Sequence, residues 1–107
     1  MTTMDIRTAI ATALLALVLL QAPAALAADA KNGEELARRW CTACHLVASN
    51  QERVSTVAPP FATIGRRPGF DARALARSML APHPQMPERG LAREQAEDIA
   101  AYIATLR

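Results

Sequence analysis

The stretch Cys41-Thr42-Ala43-Cys44-His45 decides how the rest of this sequence is read. Two thiols stand three residues apart, and an imidazole follows the second at once. Thiols at that spacing, on one helical turn, can reach the two vinyl groups along one edge of a porphyrin, where each closes a thioether. The adjacent imidazole is then held beneath the iron and offers its nitrogen as a ligand. C-x-x-C-H is the attachment pattern of a covalent c-type haem. Three blander readings compete. A structural disulfide suits an oxidising compartment, but it does not require His45. A zinc site lacks the paired spacing, because the remaining histidine, His83, stands alone. A thioredoxin-like redox pair needs a βαβ context, and this chain has none. Cys41 and Cys44 are the chain's only 2 cysteines, so the sequence favours haem attachment with His45 as the proximal ligand.

N-terminal to this motif lies a targeting segment. Arg7 gives a basic start, with Asp5 partly offsetting it, and an apolar run extends from Ala9 to Leu20. Gln21 and Pro23 break the run, and Ala25-Leu26-Ala27 supplies small residues at both key positions of a cleavage site. That order reads as a secretory signal peptide over residues 1–27, with cleavage after Ala27 and Ala28 as second choice. An uncleaved membrane anchor is the alternative, since Thr8 to Ala28 is just long enough to span a bilayer. Residues 28–107 then form the single remaining domain.

The full chain of 107 residues carries 12 Lys+Arg against 10 Asp+Glu, a net charge of +2. Removing residues 1–27 takes away Arg7 and Asp5 together and leaves that balance unchanged. No basic stripe with interleaved aromatics is present, so nucleic acid is not an expected partner. A membrane is expected only if the N-terminal segment stays attached. The mature domain is of a size at which a plain hydrophobic core is marginal. A bound haem would supply the missing core.

C-terminal to the signal the pattern is helical, then irregular, then helical again, and nothing reads as a strand. The fold class is all-α, with about three helices and irregular loops around one haem. Asn32 is the expected N-cap of the first helix, with Glu34 and Glu35 in its first turn, where carboxylates suit the dipole. This helix is expected to run from about Gly33 into the Cys pair, with Leu36 and Trp40 on one face. Between His45 and Pro60 there is no clear period. Pro59-Pro60 disfavours helix, and Gly65, Pro68 and Gly69 mark turns. A second helix begins near Asp71 and carries Ala72, Leu75, Ala76 and Met79 at helical spacing until Pro82 and Pro84. A Pro-rich loop leads to a last helix over about Ala92 to Leu106, where Ala96, Ile99, Ala100, Ile103 and Leu106 recur three and four apart.

The sixth position on the iron has three claimants: Met86, His83 and Met79. Met79 sits at a core spacing and reads as a packing residue. Met86 lies in Pro84-Gln85-Met86-Pro87, where prolines stiffen the backbone and can present a thioether to the iron. Met86 is the expected ligand, with His83 the nearest substitute.

At this point the mature chain resembles the class I monohaem cytochrome c family, in its bacterial, secreted form. The attachment motif, the methionine–proline loop and a C-terminal helix bearing Ala101-Tyr102-Ile103 come in that family's order. The resemblance implies that the first and last helices cross closely through a glycine and an aromatic, at positions matched by Gly33 and Tyr102. It implies that Ala58-Pro59-Pro60-Phe61 is the proline segment, with the Pro59 carbonyl accepting a hydrogen bond from the proximal His45. It implies that Phe61 packs on the haem and that Arg67 lies near a haem propionate. One departure is Ala37, where the family often has an aromatic, so the crossing is expected to use Trp40 instead. Another is Ala92, which replaces a Ser or Thr cap on the last helix.

The function implied is electron transfer by one covalent haem c in the periplasm, without enzymatic activity, between redox partner proteins. Two alternatives stand beside it: a cytochrome subunit of a larger periplasmic oxidoreductase, and a gas-binding or sensor haem protein. No nucleophile–base pair stands out elsewhere in the sequence.

Overall fold

The computed structural model describes residues 5–19, 27–82, 86 and 90–107. The described residues form helices α1 (Ile6–Leu19), α2 (Ala30–Trp40), α3 (Phe61–Gly65), α4 (Ala72–Leu80) and α5 (Arg93–Ala104). Apart from an isolated bridge position at Met86, they contain no extended pairing, so the fold is all-α as expected. Helix α1 covers most of the apolar run that begins at Ala9. Ile6, Ile10, Leu14, Leu15, Leu17 and Val18 are exposed on it, and among the described residues it packs on no other helix. Among the described residues no helix is long and apolar enough to cross a membrane.

Helix α2 starts earlier than its sequence suggests. Asp29, not Asn32, is the N-cap: its carboxylate accepts from the amides of Lys31 and Asn32 at 3.0 and 3.1 Å. Asn32 is drawn away by a distant partner and donates through its side-chain amide to Asp98 at 2.8 Å. The other oxygen of Asp98 accepts from the Asp29 amide at 2.7 Å, so one carboxylate of α5 ties down the start of α2. At the far end the helix stops at Trp40, before the Cys pair. Cys41 is the C-cap and donates to Ala37 O, and tight turns carry the chain on through Cys44.

Helix α4 follows the sequence closely. Asp71 caps it by accepting from the amides of Arg73 and Ala74 at 2.8 and 3.1 Å, and it ends two residues before Pro82. These two bonds hold the Asp71 carboxyl below its ordinary value, because they favour the ionised form. Helix α5 begins after Ala92, and Gln95 compensates for the missing hydroxyl cap by reaching back to the Ala92 amide at 2.9 Å. It ends at Ala104 rather than Leu106, since Thr105 and Leu106 tighten into i→i+3 bonds with Tyr102 and Ile103. Helix α3 falls where the sequence offers only turn signals. Pro60 enters it in an extended conformation, and Phe61 donates to Leu46 O at 2.9 Å.

Helix α5 is the hub on which α2, α3 and α4 all pack. One cluster joins Leu36 and Ala37 of α2 to Phe61, Val47, Ile99, Tyr102 and Ile103, with Trp40 packed against it. A second is built from alanines, Ala76 against Ala96 and Ala100, which lets α4 and α5 approach closely. The α2–α5 crossing depends on Gly33. A Cβ there would overlap the Asp98 carbonyl and lie 2.9 Å from the Ile99 amide nitrogen. Ala37, where the family often has an aromatic, is completely buried in the cluster at this crossing, and Trp40 packs against that cluster partly buried. Gly65 does the same for α3, where a Cβ would lie 2.6 Å from Ile103 O. This core of short helices is thin. Only Ile99, Ile103 and Val47 are large side chains buried completely among the described residues.

Candidate functional site

The end of α2 delivers Cys41 and Cys44 into successive turns. Cys44 and His45 both donate their amides to Cys41 O, at 3.3 and 2.9 Å, so one carbonyl gathers the motif into a compact loop. Both cysteines are half-buried, and no disulfide joins them. The chain then leaves, turns near Gln51, and comes back to run alongside the motif in the same direction. Ala58 donates to Cys44 O and Phe61 to Leu46 O, each at 2.9 Å. This return lays Pro59 beside His45.

The imidazole of His45 is fixed by what surrounds it. Its Nδ1 lies 2.6 Å from Pro59 O. A carbonyl oxygen only accepts, so Nδ1 is the donor here, and the neutral imidazole in this tautomer has its lone pair on Nε2. Phe61, almost fully buried, lies against the ring with centroids 5.1 Å apart and planes inclined by 56°. Behind Phe61, Tyr102 continues the stack at 6.4 Å. The Tyr102 hydroxyl donates to Val47 O at 2.7 Å, so α5 reaches the segment just after the motif. Burial pushes the Tyr102 phenol up from its ordinary value, and the charge of Glu34 adds to the rise while Arg38 opposes it.

The remaining sequence-derived positions are spread around this centre. Arg67 is exposed in the turn after α3. Met79 lies on the inner face of α4 and packs against both core clusters. Met86 is half-buried. His83, Pro84, Gln85 and Pro87 lie outside the described residues. Gln51 has a part that no sequence signal announced. Its side-chain amide accepts from Val47 N at 2.9 Å and donates to His45 O at 3.2 Å and Arg53 O at 2.7 Å.

Residues 28–103 match the family described as Cytochrome C oxidase, cbb3-type, subunit III. The chain belongs to the class I monohaem cytochromes c. It is 53% identical over 83 residues to a protein named cytochrome c-552 from Bradyrhizobium diazoefficiens, covering 78% of this chain and 80% of the relative. No solved structure matches the chain. Covalent haem c with its iron is the cofactor of this cytochrome, and electron transfer is its function. The residues fit the group. A deprotonated Nε2 is the state in which imidazole ligates a metal, and the two thiols sit in the loop that ends in that imidazole. Once bound, the haem supplies reversible one-electron exchange between ferrous and ferric iron. Cys41, Cys44 and His45 are the residues that would hold it.

Proposed function

We propose that this cytochrome is a periplasmic one-electron carrier. In this reading Cys41 and Cys44 hold the haem as thioethers, His45 is the proximal ligand and Met86 the distal one. Pro59 positions His45, Phe61 packs on the porphyrin, and Arg67 lies toward a propionate. The observation that carries the reading is the 2.6 Å contact between His45 Nδ1 and Pro59 O. It assigns the tautomer that leaves Nε2 for iron, and it strengthens the imidazole as a donor. With both axial positions filled by side chains, the iron has no open site for a substrate. That suits a carrier rather than an enzyme or a gas sensor. Residues 1–27 act in this proposal as the secretory signal, which brings the chain to the compartment where its electron donors and acceptors meet it.

A second reading has one observation in its favour. The matched family is described by the name of an oxidase subunit, so the same domain would serve as a cytochrome subunit of a larger oxidoreductase.

The test is to express the full chain with haem-attachment machinery and examine the purified product. A carrier is expected to be a soluble monomer whose intact mass is that of residues 28–107 plus one haem. Its ferric spectrum should show the weak band near the red end that marks a methionine–iron bond. Its ferrous form should not bind carbon monoxide. Rapid carbon monoxide binding in the native state would reject the carrier in favour of a sensor, and stable recovery with partner polypeptides would favour the subunit.

A further inference from the structure

We propose that Gln51 is a positioning residue for the axial histidine: its side-chain amide stands in for a neighbouring strand, fixes the His45–Val47 backbone, and so holds the His45 ring on Pro59 O. The inference rests on the reading of His45 as an iron ligand.

The backbone around the ligand is almost completely pinned. His45 donates its amide to Cys41 O at 2.9 Å. Leu46 O accepts from Phe61 N at 2.9 Å, and Val47 O accepts from the Tyr102 hydroxyl at 2.7 Å. Of the groups that remain, His45 O and Val47 N lie two residues apart. They point the same way on either side of Leu46, as the free edge of a strand does. Gln51 meets both, with Oε1 accepting from Val47 N and Nε2 donating to His45 O. The second hydrogen of Nε2 goes to Arg53 O. One planar amide therefore ties the ligand segment to the loop that returns toward Pro59, and every donor of that amide is used.

Val47 is completely buried, so its amide depends on this partner. An unpaired buried N–H is costly, and a chain relieves that cost by moving the segment that carries it. The segment here begins at His45, and the loop beyond Gln51 ends at Pro59. Loosening either end lengthens the Nδ1–H···O contact. That contact draws the proton toward Pro59 and makes the imidazole a stronger donor, which favours ferric iron. Weakening it favours ferrous iron and raises the reduction potential.

The experiment uses the haem-loaded protein and three versions: native, Gln51→Ala and Gln51→Glu. In Gln51→Ala the potential is expected to rise, and the His45 Nδ1 proton should exchange with solvent about tenfold faster, equivalent to losing about 1.4 kcal/mol of protection. Gln51→Glu keeps an acceptor for Val47 N, but at neutral pH its ionised carboxylate has no hydrogen for His45 O or Arg53 O, so its potential should also rise, by less than in Gln51→Ala. On acidification its carboxyl regains one donor, so its potential should return toward the native value, a titration the native protein lacks. If Gln51→Ala does not fold, this titration within Gln51→Glu carries the test alone. Proton magnetic resonance of the native ferric protein separates the two claims. His45 ring signals without iron-induced shifts would overturn the ligand assignment. Shifted signals, together with an unchanged potential and unchanged exchange in both variants, would overturn the role of Gln51 while the ligand stands.

Discussion

Gly33 lies with its backbone directly against the Asp98 carbonyl, leaving no space for a side chain between α2 and α5. Gly33→Ala is therefore expected to force the two helices apart, at a cost of about 3 kcal/mol, the upper end for overpacking a well-fitted core. Gly65→Ala meets Ile103 O at 2.6 Å and should destabilise as well. Gly69 is a contrast, since it has open space around it and a φ of 73°. Gly69→Ala is expected to cost about 1 kcal/mol, from backbone strain alone. Denaturant unfolding of the three haem-loaded variants checks the order. A Gly69 variant less stable than the Gly33 variant would contradict it.

Tyr102 binds α5 to the ligand segment through one hydroxyl. Tyr102→Phe leaves Val47 O without that donor and should lose about 1–3 kcal/mol of stability. The phenol's value is raised in the folded state, mainly by burial. The folded protein therefore keeps this proton at a pH where the unfolded chain has released it. Its contribution is complete below the ordinary value of 10.0 and is lost as pH rises through the raised folded value. Unfolding curves on the alkaline side should show a steeper decline for the native protein than for Tyr102→Phe.

Asp71 gives the opposite dependence on the acid side. The amides of Ala74 and Arg73 lower its value in the folded state. Its contribution to stability is thus complete above the ordinary value of 3.8 and disappears as pH falls through the lowered folded value. Asp71→Ala should weaken α4 at neutral pH and remove that part of the acid transition. Thermal melts of both proteins between neutral pH and strong acid provide the check. Identical pH profiles would show that the cap does not contribute.

The parts of this fold that were legible in the sequence are those whose causes are local. Asp71 sits directly before an apolar period, and α4 forms where that pairing predicts. The start of α2 was misplaced because Asp29 and Asn32 are both good caps, and the choice between them is made by Asp98, far along the chain. Helix α3 was invisible because a five-residue helix has no period to read. It exists because Phe61 bonds to Leu46 O and Gly65 fits against Ile103. The attachment motif was readable as chemistry, since its residue types and spacing are the requirement. Gln51 was not, because its partners are backbone groups of a loop whose path no side-chain pattern records.

The distal ligand is the remaining prediction, and it turns on two methionines in different settings. Met79 packs against both core clusters, while Met86, which the sequence sets between Pro84 and Pro87, is half-buried. Met86→Ala should abolish the methionine–iron band, lower the reduction potential and admit carbon monoxide to the ferrous iron. The sign follows from ligand chemistry: a thioether stabilises ferrous over ferric iron, so its loss favours the ferric form. His83, close by in the chain, could occupy the vacated position; the potential would still fall, but carbon monoxide would be excluded. A Met86→Ala, His83→Ala double variant distinguishes these outcomes, because it should bind the gas in either case. Met79→Leu conserves volume and is expected to leave the spectrum unchanged, with a stability cost below about 1.5 kcal/mol. A band that survives Met86→Ala and vanishes in Met79→Leu would transfer the ligand to α4. The inner face of α4 would then have to turn from the alanine cluster toward the iron.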